Sequence, residues 1–488
     1  MKCSEIPELL PLLTDKPPTI TFTGVQCDSR RVRPGDLFVA VSGRRDDGTR
    51  YGAAALARGA AAVVSETPLR DCSKANIVVR DARLALAILA NALNGWPSRK
   101  MNVFGITGTN GKTTTAWLLS ELLRAHGRDP GLLTTVQVAY RTRVIPAART
   151  TPDACELQPL LAAMAGAGCT SAVMEVSSHA LDQQRTAGIR FAGAAFTNLS
   201  HDHLDYHGSI EAYWDAKKRL FIQLAHENPG AAAVCFLDAP YGEQMAEFLA
   251  TLPVKRITCG FSDVADICAK DVLLTPDGST FTLVTADGVR VPLDVQLAGR
   301  HNIANILCAV ALALSAGVPL ETMATLLPKI RPQWGRLERV PVNAAFRVFV
   351  DYAHTDDALK NVLGAIREMS KGRTIVVFGC GGDRDRTKRP LMGRACADGA
   401  DVLVVTSDNP RSENPEAIIA EVMAGIPQGA ETHIEPDRHA AIRLALSLAK
   451  KDDVVLVAGK GHESFQEVTG RSFPFDDRLV VMEEMNRF

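Results

Sequence analysis

The sequence contains no apolar run long enough to cross a bilayer; the longest, Ile306 to Val318, falls well short of the ~20 residues a span needs. That run reads as a buried core helix, and no membrane segment is expected. Neither sign of charge is in excess: 54 Lys+Arg against 55 Asp+Glu leave a formal net charge of -1. With no bulk basic field to hold a polyanion, nucleic acid is not an expected partner. The 11 cysteines include no CxxC pair, so neither a zinc knuckle nor a disulfide framework is spelled out. Scattered thiols fit a reducing cytosol. The first sixteen residues, MKCSEIPELLPLLTDK, carry Glu5, Glu8 and two prolines where a secretory signal has a clean apolar stretch, and export is not expected. Hydrophobic residues at 46% and charged residues at 22% exclude a disordered chain.

At roughly 150 residues per domain, 488 residues suggest three domains. Residues 20 to 95 alternate short apolar runs with helical ones, such as FVAV, YGAAALARGA, AAVVSE, NIVV and ARLALAILANAL, and stop at Asn94-Gly95-Trp96-Pro97-Ser98. A first domain over residues 1–98 follows. The second segment, 99–331, opens with a strand at Val103–Thr107, a Gly-rich turn and a helix from Thr113 to Arg124. Further strands at Ala172–Val176 and Gly193–Thr197, with helices between, predict a mostly parallel sheet. Two Asp-Gly turns between Asp271 and Leu297 predict antiparallel hairpins, a small addition to the second domain. The third segment, 332–488, alternates the strands FRVFVD, TIVVFG, DVLVVT and DVVLVAG with helices, a doubly wound pattern whose ligands sit beyond the carboxyl ends of the strands.

The clearest chemical signal is GITGTNGKTTT. A strand running into glycines, with Lys and Thr opening a helix, lets backbone N–H groups surround phosphates, with Lys112 on the β/γ-phosphates and Thr113 on Mg²⁺. Ile106 stands where the strict P-loop pattern has its first glycine, so the match is a shorter variant from Gly108. After the next two strands come Glu175-Val-Ser177-Ser178-His179 and His201-Asp202-His203-Leu-Asp205, read either as ligands to a catalytic Mg²⁺ or as solvated loop residues. Lys217, in YWDAKKRLF, reads by itself as a surface lysine. GCGGDRD, SDNPR and GKGHE each follow a strand of the third segment, either as solvated charge or as a clamp for a zwitterion.

Taken in order, GTNGKTT, TTPDA, MEVSSHAL, FTNLSHDHLDYHGS, DAKKRLF, GRHNIAN, VDYAH, GCGGDRD, SDNPR and AGKGHE resemble the Mur ligase family over nearly the whole chain. The resemblance implies an α/β protein of three domains: one gripping the UDP part of a substrate, a central P-loop ATPase with a parallel sheet, and a C-terminal Rossmann-like domain bringing an amino acid. It implies a cytoplasmic enzyme of peptidoglycan synthesis, expected as a monomer, that uses ATP and Mg²⁺ to form an acyl phosphate on a substrate carboxylate and then an amide.

Residue by residue, the resemblance puts Gly108, Thr109, Asn110, Gly111, Lys112, Thr113 and Thr114 on ATP, with Asn302, Arg336, Asp351 and His354. It puts Ser29 on the uridine nucleotide, and Thr150, Thr151, Ser177, Gln183 and Arg185 on the muramoyl-dipeptide. Thr113, Glu175, His203 and Lys217 match the metal positions, Lys217 as a carbamylated lysine; Lys112, Lys217 and His203 are the expected catalytic residues. Arg384, Asp408, Asn409, Pro410, Arg411, Gly459 and Glu463 match the amino-acid site, and members that add meso-diaminopimelate read DNPR as this sequence does. The expected substrates are therefore UDP-N-acetylmuramoyl-dipeptide and meso-diaminopimelate, with an L-lysine-adding member or another ligase of the superfamily as alternatives. A P-loop switch or motor is the reading from a different class. Two positions depart from the family pattern: Asp356 stands in place of Pro and Arg149 in place of Asn.

Overall fold

The computed structural model of the chain describes residues 1–488 apart from 17–18, 44–45, 73–74, 333–334 and 488. It divides into two compact units, Met1–Cys259 with Cys308–Pro319, and Gly260–Leu307 with Leu320–Phe488.

The first unit begins with a four-stranded parallel sheet of β1 (Gly24–Gln26), β2 (Asp36–Val39), β3 (Ala62–Ser65) and β4 (Asn76–Val78), in that order. Helix α1 (Gly52–Ala57) joins β2 to β3, and α2 (Ala82–Leu93) follows β4. Asp81 caps α2 by accepting from Leu84 N, and the apolar run that follows packs Ala85, Leu86 and Leu89 against Leu37, Val39, Val64 and Ile77.

A second sheet follows, with β5 (Asn102–Thr107), α3 (Lys112–Ala125), β6 (Pro130–Leu133), β7 (Gln137–Tyr140), β8 (Arg143–Pro146), α4 (Ala154–Gly166), β9 (Ser171–Glu175) and α5 (Ser178–Asp182). It continues through β10 (Phe191–Phe196), α6 (Leu204–His207), α7 (Ile210–Glu227), β11 (Ala232–Phe236), α8 (Gly242–Ala250) and β12 (Lys255–Gly260). The spatial order is β12-β11-β10-β5-β9-β6-β7-β8, parallel as far as β6 and antiparallel through β7 and β8. Strand β5 is thus central, between β10 and β9, and the turns after these three strands converge at one sheet end. The β7–β8 hairpin carries no Asp-Gly or Asn-Gly turn and is not legible in the sequence.

In the second unit, β13 (Ile267–Thr275), β14 (Gly278–Thr285) and β15 (Arg290–Val295) form the expected antiparallel meander. Helix α9 (Arg300–Ser315) is the apolar helix read from the sequence, its residues to Leu307 in this unit and those from Cys308 in the first, and α10 (Leu320–Leu326) follows. Among the described residues no helix is long and apolar enough to cross a membrane. The remaining elements are β16 (Glu338–Val340), β17 (Arg347–Asp351), α11 (Asp356–Met369), β18 (Thr374–Phe378), α12 (Lys388–Gly399), β19 (Val402–Val405) and α13 (Pro415–Met423). After them come β20 (Thr432–Ile434), α14 (Arg438–Leu448), β21 (Val454–Ala458), the hairpin β22 (Phe465–Val468) with β23 (Arg471–Pro474), and α15 (Asp477–Met485). The sheet order is β16-β17-β21-β18-β19-β20, with only β16 antiparallel. Four of these strands are the apolar runs of the sequence; β16 and β20, three residues each, are too short to show there.

Helix α11 bears on the departure at Asp356. Thr355 caps it by accepting from Ala358 N, so Asp356 is the first helical residue, where a carboxylate complements the positive helix end. The helix start is therefore specified without proline. A second polar anchor lies between α14 and α15, where Arg438 and Asp477, both fully buried, pair through Nε–Oδ1 at 2.8 Å and Nη2–Oδ2 at 2.7 Å. Removing one partner of a buried pair strands the other charge, so Asp477→Ala is expected to cost about 3–5 kcal/mol in denaturant unfolding. A loss under 1 kcal/mol would contradict this account of the anchor.

Candidate active site

Beyond β5 the chain turns through Gly108 (φ +153°) and Gly111 (φ +82°), and Gly111 sits at the N-cap of α3. The loop is shaped by the end of β10. Thr109 N donates to Asn198 O and Asn110 N to Asn198 Oδ1, both at 2.9 Å, while Thr197 Oγ1 donates to Asn110 O at 2.6 Å. A Cβ on Gly108 would lie 1.8 Å from Thr197 Oγ1, which is why glycine is required. Lys112 opens α3 and donates its Nζ hydrogens to Gly108 O at 2.9 Å and Thr109 O at 2.8 Å; Thr113 and Thr114 follow, buried in the first turn. The loop thus places backbone N–H groups, a helix N-terminus and an ammonium at one point, the arrangement that binds phosphate. Gly108→Ala adds strain of about 1–3 kcal/mol and is expected to weaken nucleotide binding roughly tenfold or more. Calorimetry with a non-hydrolysable ATP analogue checks it; an unchanged Kd would contradict the packing argument.

Glu175 ends β9, beside this loop in the sheet, and is 1% exposed. Both hydrogen bonds to its carboxylate come from Thr135, N at 2.8 Å and Oγ1 at 3.1 Å, and it makes no ion pair among the described residues. A buried carboxylate with only neutral partners has an unmet demand for a cation. Lys217 is the main surprise. On α7 it shares a face with Tyr213, Ala216, Leu220, Phe221 and Leu224 and is 1% exposed, so the surface reading of this lysine is wrong. Its Nζ lies 4.4 Å from the centroid of the Tyr213 ring and makes no hydrogen bond among the described residues. Burial, reinforced by the charge of Lys112, pulls its pKa well below the usual lysine range.

His203, at the N-cap of α6 with φ +53°, is pulled down to about 4 by burial, with Asp202 pulling the other way and His179 and Lys112 adding to the fall. It is therefore neutral at physiological pH. His179 and His207 instead join an aromatic cluster: His179 lies 4.0 Å from Tyr206 and 4.8 Å from His203, and His207 5.1 Å from Tyr213, centroid to centroid. Among the described residues no three His, Cys, Asp or Glu side chains form a metal cage. The residues present still fit a magnesium ion, which takes one or two carboxylates and completes its shell with water and substrate phosphate.

Thr151, Ser177, Gln183 and Arg185 converge. Thr151 Oγ1 donates to Glu175 O at 2.9 Å and accepts from Ser177 N at 3.0 Å, and Ser177 caps α5. Arg185 donates to Thr151 O at 2.8 Å, to Gln183 Oε1 at 2.7 Å and to Asp153 at 2.9 Å. Thr150 joins through its Oγ1, 3.1 Å from Thr135 Oγ1, to which it donates because the Thr135 hydroxyl hydrogen is given to Glu175. Gln183 and Arg185, with Arg83, Arg149 and Cys27, line a cleft of about 580 Å³. Arg149, the second departure, lies at its rim and pairs with Asp153. Ser29 opens a 3₁₀ turn two residues beyond Cys27 and does not itself line the cleft.

In the second unit, Asp351 ends β17 and accepts from Leu337 N at 2.5 Å and Ala353 N at 2.8 Å; burial raises its pKa, with Arg336 opposing. Arg336 lies over the Tyr352 ring at 4.8 Å, and His354 lies against the same ring, so Arg336, Asp351 and His354 form one group. Asn302 is buried in the first turn of α9, donating to Ala298 O at 2.8 Å. The remaining residues gather beyond β19 and β21. Asp408 and Asn409 are buried, and a Cβ on Gly459 (φ +117°) would lie 2.7 Å from Asp408 Oδ2. Asn409 Nδ2 donates to Glu463 at 2.8 Å. Arg411 (φ +52°) donates from Nη1 to Gly382 O at 2.6 Å, and its Nε lies 3.4 Å from Glu467. Its Nη2 makes no bond among the described residues. A Cβ on Gly381 would meet both Arg411 and Arg384, so these two arginines flank one glycine, and Pro410 O packs on Gly382.

Four contributors were not singled out from the sequence. Thr135 supplies both donors to Glu175, Tyr206 accepts from Gln183 at 3.0 Å, and Glu467 faces Arg411. Lys460, fully buried, donates to Asn409 Oδ1 at 3.0 Å and pairs with Glu463 at 3.3 Å. Lys460 and Tyr206 had a signal, the first by its place in GKGHE after a strand and the second inside FTNLSHDHLDYHGS; Thr135 and Glu467 had none.

A phosphate-binding loop at the end of a parallel sheet, followed by a doubly wound sheet, defines an α/β nucleotide-binding protein. Three profiles match the chain: "Mur ligase family, catalytic domain" over residues 21–93, "Mur ligase middle domain" over 106–313, and "Mur ligase, glutamate ligase domain" over 335–461. The chain belongs to the Mur ligase family of ATP-dependent ligases. Among its relatives, the UDP-N-acetylmuramoyl-L-alanyl-D-glutamate–2,6-diaminopimelate ligase of Gloeobacter violaceus is 45% identical, covering 96% of this chain and 95% of that protein. The protein of the same name from Geobacillus thermodenitrificans is 43% identical over 94% of each chain. A solved structure of a ligase of that name matches with a TM-score of 0.72 at 34% identity, covering 100% of this chain and 99% of that one. A folylpolyglutamate synthase from Mycobacterium tuberculosis, TM-score 0.63 at 20% identity, shares the fold over 78% of this chain.

Proposed function

We propose that this ligase adds meso-diaminopimelate to the D-glutamate of UDP-N-acetylmuramoyl-L-alanyl-D-glutamate, in the cytoplasmic stage of peptidoglycan synthesis. The observation that carries the specificity is Arg411, fixed by Gly382 O and Glu467 with Nη2 left for a ligand. Meso-diaminopimelate has a carboxylate on its distal carbon for such a group, and L-lysine has none. The names of the relatives support the same reaction.

In this reading the γ-phosphoryl group of ATP passes to the glutamate side-chain carboxylate, giving an acyl phosphate and ADP. The amine of the amino acid then attacks the acyl carbon, and the tetrahedral adduct loses phosphate to leave an amide. Lys112 exchanges its bonds to Gly108 O and Thr109 O for phosphate oxygens, and the loop N–H groups meet the charge that builds there. Arg185, Thr151 and Ser177 hold the dipeptide near Glu175, and Asn409, Glu463 and Arg384 hold the amino acid with Arg411. Thr113, Glu175, His203 and a carbamylated Lys217 would hold Mg²⁺, which supplies charge stabilisation for phosphoryl transfer. Lys217 suits carbamylation because burial and the charge of Lys112 disfavour its ammonium and favour the neutral amine that attacks CO₂.

Mass spectrometry of the nucleotide after incubation with ATP and both substrates tests the proposal. A product heavier by one diaminopimelate residue, with phosphate released in equal amount, is expected. ATP consumed with the acceptor unchanged would contradict it and favour a nucleotide switch.

A further inference from the structure

Nine of the eleven cysteines are buried; the two that are partly exposed, Cys27 and Cys155, face each other with their sulfurs 3.5 Å apart. They are 128 residues apart in sequence, so their meeting is a product of the fold. Cys27 lies just beyond β1 and lines the 580 Å³ cleft; Cys155 is in the first turn of α4, beside the cleft residues Asp153 and Ala154. The ion pair of Arg31 with Glu156 docks the same two segments. Ser29, which the family resemblance matches to the uridine nucleotide, lies two residues beyond Cys27 in the same segment.

We propose that Cys27 and Cys155 are an oxidation site, and that a peroxide links them by a reversible disulfide that closes the cleft to the nucleotide substrate. Neither thiol has a part in the proposed ligase chemistry. The place of Cys155 in the first turn of α4, where the positive helix end favours a thiolate against burial and the charges of Asp153 and Glu156, makes it the first sulfur to react. The Cys155 thiolate attacks one peroxide oxygen, the O–O bond breaks, and hydroxide leaves, giving Cys155 sulfenic acid. The Cys27 sulfur then attacks the sulfenic sulfur; its proton goes to the departing hydroxyl, which leaves as water. Two thiols are oxidised and one peroxide is reduced to two waters. Closing 3.5 Å to the ~2.05 Å of a disulfide draws the Cys27–Arg31 segment onto α4 and fixes a wall that the ligand must fit.

The test is to treat the full chain with hydrogen peroxide, remove the excess with catalase, alkylate and map the unreduced peptides. A Cys27–Cys155 linked peptide is expected, with the nine buried cysteines unlinked, UDP binding by calorimetry weakened, and ligase activity lost until dithiothreitol restores it. Cys155→Ser is expected to keep after peroxide whatever activity it has before, and Cys155→Ala serves if the serine variant does not fold. Absence of the linked peptide would overturn the site. A linked protein that binds UDP and turns over as before would overturn the closing of the cleft. The peptide map and the UDP measurement do not depend on the proposed reaction, whose own failure would show as inactivity of the reduced protein.

Discussion

Lys217→Ala is expected to lower kcat by about 10²–10³-fold, the range for removing one group that meets developing charge in a water-poor site. The expectation rests on a lysine that is fully buried, has no hydrogen-bonding partner among the described residues and is held well below its usual pKa by burial and by Lys112. Burial disfavours an ammonium there; on the proposed reading, a neutral amine that takes up CO₂ would become an anionic oxygen group facing the charge of Lys112. Two further results should accompany the loss. Enzyme equilibrated with ¹³C-bicarbonate should show a protein-bound carbamate signal that Lys217→Ala lacks. A short carboxylate such as formate should restore part of the variant's activity. Full activity in Lys217→Ala would remove the basis for the carbamate.

Arg411→Ala is expected to lower kcat/KM for meso-diaminopimelate by about 2–5 kcal/mol, or roughly 30- to 4,000-fold, the cost of truncating one partner of a buried charge pair. Activity on L-lysine should change far less, because lysine has no distal carboxylate to lose. Arg411→Lys should not rescue it, since an ammonium cannot reproduce a planar two-donor edge. The backbone matters as well as the charge. Arg411 has φ +52° and is bridged to the β22–β23 hairpin through Glu467 and Thr469, whose backbone groups bond to its N and O at 3.1 Å and 2.7 Å. Equal kcat/KM values in the variant and the parent would place the specificity elsewhere.

What could be read from the sequence was local. The loop GTNGKTT needs only neighbouring residues to declare itself, and the long apolar strands and α9 follow from short-range pattern. Lys217 was misread when taken by itself because one charged residue in a helix looks solvated; only the 3–4 spacing of Tyr213, Leu220, Phe221 and Leu224 around it marks the face as buried. Contacts between distant segments left no trace. Thr135 on Glu175, Glu467 on Arg411 and Cys27 against Cys155 join residues 40, 56 and 128 positions apart, and no periodicity encodes such pairings. The strands β16 and β20 were invisible for another reason: three residues paired at a sheet edge carry too little alternation to register.

Selection of meso-diaminopimelate by this ligase is tested by phosphate release from ATP with UDP-N-acetylmuramoyl-L-alanyl-D-glutamate, supplied in parallel with meso-diaminopimelate, L-lysine or no amino acid. Sustained release with meso-diaminopimelate alone is the predicted result. Equal release with L-lysine would contradict the role given to Arg411, and equal release with neither acceptor nor amino acid present would contradict the ligase reaction itself.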